Sequence, residues 1–253
     1  MKKVTAKKHL GQHFLINKNI AQDIVNLIKK KNNFVLEIGP GMGVLTNLIL
    51  NQNIESFHAI EIDTDSVNYL RKKYPKLLVT EGDFLKMKIN DLTNKKISVI
   101  GNFPYNISSQ ILFRVFENKN KIDEMIGMFQ KEVAERVIAK KGKKRGILSV
   151  FIQAFFETKL EFILDENNFS PPPKVKSAVI TLKRNKRKNI GCNEELFKKI
   201  VKSSYNQRRK TLKNALKSFT LDYNKNIDNL LLKRAEELEV DDFITITKNV
   251  QAK

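Results

Sequence analysis

Asn102-Phe-Pro-Tyr105 is the stretch of this sequence best equipped for chemistry. A carboxamide oxygen and a backbone carbonyl held by a following proline are two hydrogen-bond acceptors at fixed spacing. The Asn102 side chain and the Phe103 carbonyl can therefore take both N–H groups of an exocyclic amine such as adenine N6. Such an amine is a poor nucleophile, because its lone pair is delocalised into the ring. Two acceptors pull the nitrogen toward tetrahedral geometry and localise that pair. Pro104 fixes the turn, and the Tyr105 ring can hold the base by stacking, worth ~1–3 kcal/mol per base. Positioning and electrostatics carry such a transfer, and no general base of unusual pKa is required.

A second constellation lies upstream. Glu37-Ile-Gly-Pro-Gly-Met-Gly43 follows an apolar run and opens an amphipathic one. Its spacing is G-x-G-x-G, not the G-x-G-x-x-G that seats a dinucleotide pyrophosphate. An acidic residue just before such a loop is typical of the class I methyltransferase sheet. Glu61 and Asp83 stand near the ends of the next two apolar runs. In a doubly wound sheet, ligands bind outside the carboxyl ends of the strands. Glu61 can accept from both ribose hydroxyls there, and Asp83 from an adenine amine. With the glycine loop they describe a cradle for a nucleoside.

The elements that must position these residues follow from hydrophobic periodicity. Strands are expected at 34–39, 57–63, 77–80, 97–100 and 125–129, with helices at 43–51, 66–73 and from 130 to about 140. Two further strands are expected at 159–164 and 178–182, flanking the loop Phe169-Ser-Pro-Pro-Pro173. This alternation predicts an α/β fold with a mainly parallel, Rossmann-like sheet. After Lys183 the chain turns polar, basic and then helical, with apolar spacing at 196–201, 212–219 and 230–238. The division expected is a catalytic domain over 1–185 and a small all-helical domain over 186–253.

Composition narrows the partners. Forty-seven Lys and Arg against 27 Asp and Glu leave a net charge of +20. From Lys183 to Lys217 there are 13 basic and two acidic residues, so +11 sits in one stretch. Such an excess points to a polyanion, since each phosphate contact releases condensed counterions. The longest apolar run, Ile147 to Phe156, is far short of the ~20 residues of a membrane span. No signal peptide is evident, and a single cysteine, Cys192, excludes an internal disulfide framework or a cysteine-rich metal site. A cytoplasmic monomer without metal is expected. No extended apolar repeat suggests an oligomer.

At this point the motifs can be compared with a known family. Asn102-Phe-Pro-Tyr-Asn-Ile-Ser108 resembles motif IV of the ribosomal RNA adenine N6-dimethyltransferases. Lys8-His-Leu-Gly-Gln-His-Phe-Leu15 is similar to that family's amino-terminal cofactor motif, and 169–178 to its second substrate loop. Asn206-Gln-Arg-Arg-Lys-Thr-Leu212 resembles the start of its helical domain. The last of these, with the Leu-Gly-Gln-His-Phe-Leu opening, favours the housekeeping KsgA/RsmA-type branch over the Erm branch, which acts on large-subunit RNA. The resemblance implies S-adenosyl-L-methionine as cofactor, held by His13, Leu15, Gly39, Glu61, Asp83 and Asn102. It implies that Phe169 flanks the target base opposite Tyr105. The substrate it implies is two adjacent adenosines in the 3′-terminal hairpin loop of small-subunit (16S) ribosomal RNA, in a pre-30S particle. Arg208, Arg209 and Lys210 would hold RNA phosphates. His13 stands where many members have Asn, and Phe103 where Leu is usual. DNA is not expected as substrate, since DNA adenine methyltransferases usually carry Asp-Pro-Pro-Tyr and a separate recognition domain.

Overall fold

The computed structural model describes residues 4–222 and 225–250. The chain forms two compact units: Met1–Ala134 with Thr158–Arg184, and Glu135–Glu157 with Asn185–Lys253. The chain begins with β1 (Phe14–Leu15), α1 (Lys18–Asn26), β2 (Phe34–Ile38) and α2 (Val44–Leu50). Then come β3 (Ser56–Glu61), α3 (Thr64–Lys73), β4 (Leu78–Glu81), β5 (Ile97–Asn102), α4 (Ser108–Glu117) and β6 (Ile122–Gln130). Two helices follow, α5 (Lys131–Ile138) and α6 (Ile147–Phe155). The strands β7 (Phe156–Leu164), β8 (Phe169–Ser170) and β9 (Ser177–Arg184) complete the β-structure. The remainder is helical: α7 (Glu194–Asn206), α8 (Leu212–Ala215), α9 (Lys225–Leu231) and α10 (Val240–Lys248). Among the described residues no helix is long and apolar enough to cross a membrane.

The sheet of the first unit has the order β4-β3-β2-β5-β6-β9-β7. Its first five strands are parallel, and β9 runs antiparallel to β6. This is the mainly parallel, doubly wound sheet that the alternation predicts. Every residue of β2 is buried, as expected of a parallel strand covered on both faces. Strand order reverses between β2 and β5, and ligands bind at such a switch point. The glycine loop leaves β2 there, and Asn102-Phe-Pro-Tyr105 leaves β5.

Two glycines in the loop are required by geometry. Gly41 and Gly43 have φ of 56° and 76°, which L side chains rarely adopt. A Cβ on Gly41 would stand 2.8 Å from the Phe14 ring, and one on Gly43 2.9 Å from both Leu70 and Tyr74. A different pair of glycines makes room for the other motif. Gly101 and Gly127 are register partners on β5 and β6. The buried Phe103 ring lies over both: a Cβ would come within 2.7 Å of it at Gly101 and 2.6 Å at Gly127. Phe129 closes the same space, with ring centroids 5.0 Å apart.

The second unit departs from the expected boundary. Residues 135–157, expected in the catalytic domain, belong to the compact helical unit. The reason is α6, which carries the longest apolar run and buries seven of its nine residues. A helix apolar nearly all round needs partners on several sides, and α7 and α10 are among them. Buried Arg145 ties the unit together, donating to the Leu238 and Ala139 carbonyls and to Gln153 Oε1. The helix expected at 230–238 is not one helix. Glu237 accepts from the Arg234 N–H and Asp242 from the Glu239 N–H, each marking a new start. The apolar spacing of Leu231, Ala235 and Leu238 therefore runs from the end of α9 through a short 3-10 turn to its cap, and α10 follows at Val240.

Two stability predictions arise from the sheet. Gly127→Ala should cost about 2 kcal/mol by overpacking the Phe103–Phe129 space. Denaturant unfolding would show this as a lower midpoint at unchanged slope, and an unchanged midpoint would mean the rings simply move aside. Glu37 on β2 is 1% exposed and accepts from Thr46 Oγ1 at 2.6 Å. Burial pushes its carboxyl from near 4.5 up to about 8. The folded state then holds a proton that the unfolded chain releases near pH 4.5. The resulting stability is complete below that pH and fades as pH rises to about 8. Glu37→Gln should flatten this decline in unfolding free energy between about pH 5 and pH 8. An equal slope in both proteins would mean that Glu37 is ionised where it lies.

Candidate active site

Glu61 ends β3 with its carboxylate 4% exposed residue-wide. Its Oε2 accepts from the Gly41 N–H at 2.9 Å, and its Oε1 from the Ile62 and Asp63 N–H groups at 2.9 and 3.0 Å. Burial pushes this carboxyl up, against the three N–H groups that hold it down. Two N–H bonds use both lone-pair directions of Oε1, so one direction on Oε2 stays open. Glu61 can thus accept one ribose hydroxyl in this geometry, not the two expected. Next to it, Ile62 is 51% exposed between the buried Glu61 and Asp63. It is an apolar platform beside the cradle that the sequence reading missed. The signal was present: an apolar residue directly after a strand-ending acid, where a helix cap begins. The Gly82 N–H donates to the Glu61 carbonyl at 2.8 Å and links this strand end to the next. There Asp83 Oδ1 accepts from the Leu85 N–H, while among the described residues Oδ2 has only Lys86, at 3.9 Å.

On the β5 side, Asn102 Nδ2 donates to the His13 carbonyl at 2.7 Å. A carbonyl can only accept, so this bond settles which end of the amide is nitrogen and turns Oδ1 the other way. The Phe103 carbonyl takes no hydrogen bond from the described residues. The Pro104 carbonyl does, from Ser108 Oγ and the Ile107 N–H. Pro104 also lies across from the glycine loop, with Cδ 4.0 Å from the Cβ position of Gly39. The Tyr105 ring stacks on His13 at 5.3 Å between centroids, and its hydroxyl bonds Ser177 Oγ at 2.5 Å. Burial pushes that hydroxyl's pKa up, so it stays neutral. A cavity of about 460 Å³ takes in Leu15, Gly39 and Asn102; Glu61 and Asp83 lie outside it.

Residues 7–15 bind these parts together. Lys7 pairs with both Asp63 and Asp65, and its N–H donates to Gln12 Oε1. Gln12 Nε2 reaches Asp63 Oδ2 at 3.2 Å. Asp63 also caps α3, accepting from the Asp65 N–H. It was expected inside a strand; its capping role ends β3 two residues earlier. His13 Nδ1 donates to the Pro171 carbonyl at 2.8 Å, which fixes its proton on Nδ1. Phe14 and Leu15 pair with Ser170 and Phe169. His13 thus contributes its carbonyl to Asn102 and its ring to Tyr105 and Pro171. Lys7, Gln12, Asp63 and Ser177 were not singled out in the sequence.

Two expected residues behave differently from the rest. Phe169 is 3% exposed and packs in the core with Leu15, Ile24, Val25 and Val179. It offers no free face to a base in this conformation, because a strand pairing turns it inward. Arg208 donates to Glu236 and to the Lys143 carbonyl, so its guanidinium holds the helical unit together. Arg209 and Lys210 beside it are exposed.

Residues 3–252 match the model of the family described as ribosomal RNA adenine dimethylase. The ribosomal RNA small subunit methyltransferase A of Cytophaga hutchinsonii is 50% identical over the full length of both chains. That of Flavobacterium johnsoniae is 51% identical over 100% of this chain and 98% of its own. Among solved structures, a dimethyladenosine transferase from Plasmodium falciparum superposes with a TM-score of 0.80 at 23% identity, covering 94% of this chain and 99% of that one. The 23S rRNA methyltransferase ErmE superposes with a TM-score of 0.74 at 21% identity and the same coverage. The two structures share the fold of this chain, and the family match spans nearly its whole length. By that match and those half-identical relatives, this chain belongs to the ribosomal RNA adenine dimethylase family.

Proposed function

We propose that this chain uses S-adenosyl-L-methionine to dimethylate the N6 amines of two adjacent adenosines in the 3′-terminal hairpin loop of small-subunit (16S) ribosomal RNA. The observation that carries the reading is the Asn102 amide, whose nitrogen is spent on the His13 carbonyl and whose oxygen faces away from it. That oxygen and the Phe103 carbonyl take the two N–H groups of the amine and localise its lone pair. Tyr105, backed by His13, supports the base by stacking. Small-subunit RNA is favoured over large-subunit RNA by the names of the half-identical relatives. Hairpin-loop bases can be splayed out, whereas A-form helices hide their base edges.

The residues present fit the cofactor. Glu61 keeps one acceptor direction for a ribose hydroxyl, Asp83 Oδ2 can accept from an adenine amine, and Ile62 gives an apolar surface. His13, Leu15, Gly39 and Asn102 complete the set that would hold it. When bound, the cofactor supplies an electrophilic methyl group. The protein's own part is to orient the amine, exclude water and keep the acceptors fixed. Arg209 and Lys210 hold RNA phosphates, and Arg208 positions the turn that carries them. The enzyme acts as a cytoplasmic monomer on a pre-30S particle and uses no metal.

Mass spectrometry of nucleosides from small subunits lacking this modification, incubated with the protein and S-adenosylmethionine, tests the reaction. Dimethyladenosine should form with the wild type, and at least about 100-fold more slowly with Asn102→Ala. Equal rates would remove Asn102 from the chemistry. The phosphate role is tested by salt dependence. Arg209→Ala with Lys210→Ala should weaken RNA binding and reduce the log–log salt slope by about one per lost contact. An unchanged slope would mean these side chains touch no phosphate.

A further inference from the structure

The cavity beside Asn102 has an outer end that the reaction above leaves unused. Beyond Gly39 and Asn102 it is lined by Phe14, Lys18, Tyr69 and Lys73. The Phe14 ring rests on the glycine loop, 2.8 Å from where a Cβ of Gly41 would stand. Tyr69 is half-buried on α3. Lys73 Nζ lies 5.3 Å from the Tyr69 ring centroid and 5.1 Å from that of Tyr74. The Tyr74 hydroxyl is within 3.4 Å of the Gly43 carbonyl and 3.3 Å of Asn47 Oδ1. The ammonium therefore lies at the mouth against two rings, that of Tyr74 anchored through its hydroxyl, and exposed Lys18 provides a second cation at the start of α1.

Aromatic faces inside and cations at the rim suit a base with its phosphodiester. The cavity is continuous with the residue that receives the reacting amine. We propose that its outer end is a second nucleotide subsite, which holds the nucleotide adjacent to the adenosine being methylated. The base lies against Phe14 and Tyr69, and Lys18 and Lys73 meet the phosphate. This rests on the reading that two neighbouring adenosines are substrates. While one has N6 at Asn102, its neighbour is unstacked and needs a surface of its own.

The test uses Tyr69→Ala, Lys73→Gln and, as a control that keeps the ring, Tyr69→Phe. Calorimetry with S-adenosylhomocysteine reads the cofactor site. Methylation of unmodified small subunits, with mass spectrometry counting molecules that carry one or two modified adenosines, reads the subsite. For the two disruptive variants we expect cofactor affinity within twofold of wild type. KM for the particle should rise at least about fivefold, and singly modified molecules should accumulate. Tyr69→Phe should match the wild type. A fall in cofactor affinity with an unchanged KM for the particle would overturn the proposal, placing the lysines on the cofactor's carboxylate. So would wild-type values throughout. If the wild type itself makes no dimethyladenosine, the reaction reading fails separately. A labelled hairpin RNA with two adjacent loop adenosines then decides the subsite, and equal affinity for wild type and Tyr69→Ala would overturn it.

Discussion

An amide presents a donor and an acceptor of nearly identical shape, so its surroundings alone decide which end meets a ligand. Here that decision rests on the bond from Asn102 Nδ2 to the His13 carbonyl, and much of the first unit serves to keep its two halves in place. The Asn102 half stands at the end of β5, between β2 and β6 in a buried parallel sheet. The Phe103 ring, seated on the glycine pair, locks the turn that follows. The His13 half has no sheet of its own. It is held by Lys7 and Gln12 on Asp63 at one side and by the β1–β8 pair and Pro171 at the other. Asp63 follows Glu61 by two residues, so the same anchor also steadies the loop on which Glu61 depends.

The acidic residues of the site are managed without spending the chain's surplus of cations. Glu61 is held by three backbone N–H groups, and Glu37 by a threonine hydroxyl. Fixed backbone dipoles hold a carboxylate without closing the site with a long side chain. Most lysines remain at rims and on the surface, where a polyanion can meet them. Lys7 pairs with Asp63 and Asp65 and acts on the anchor outside the cradle. A net charge of +20 therefore says little about the potential at Glu61 itself.

What was legible in the sequence is what is local. The glycine loop, the strand-end acids and Asn102-Phe-Pro-Tyr105 announce themselves because turn chemistry and strand ends are written in consecutive residues. Gly101 and Gly127 were readable only in retrospect, since a ring two residues beyond one glycine must be matched with a glycine on another strand. The tie from residues 7–15 to Asp63 and Pro171 spans about 50 to 160 positions, and no periodicity reports it. Phe169 and Arg208 show the limit in another way. A motif identifies the residue type, but burial among Leu15 and Val179, or a pairing with Glu236, is fixed by packing. The apolar pattern at 230–238 misled because side-chain caps divided what spacing alone would join.

The His13–Pro171 bond joins residues 158 positions apart. A chain made from its amino terminus presents residues 7–15 first and Pro171 long after, so this end waits without its partner while the sheet is being made. The glycine loop and the strands around it can form in the meantime, since their pairings close over shorter spans. Asn102 then stands at a strand end before the segment that orients its amide is held on both sides. The last contact to close is the His13–Pro171 bond, which steadies the carbonyl that orients the asparagine, and being long-range and near the surface it is also among the first to open. Synthesis thus completes the glycine loop and its strands before the tie that orients Asn102 is closed, and a partly opened chain has the first without the second.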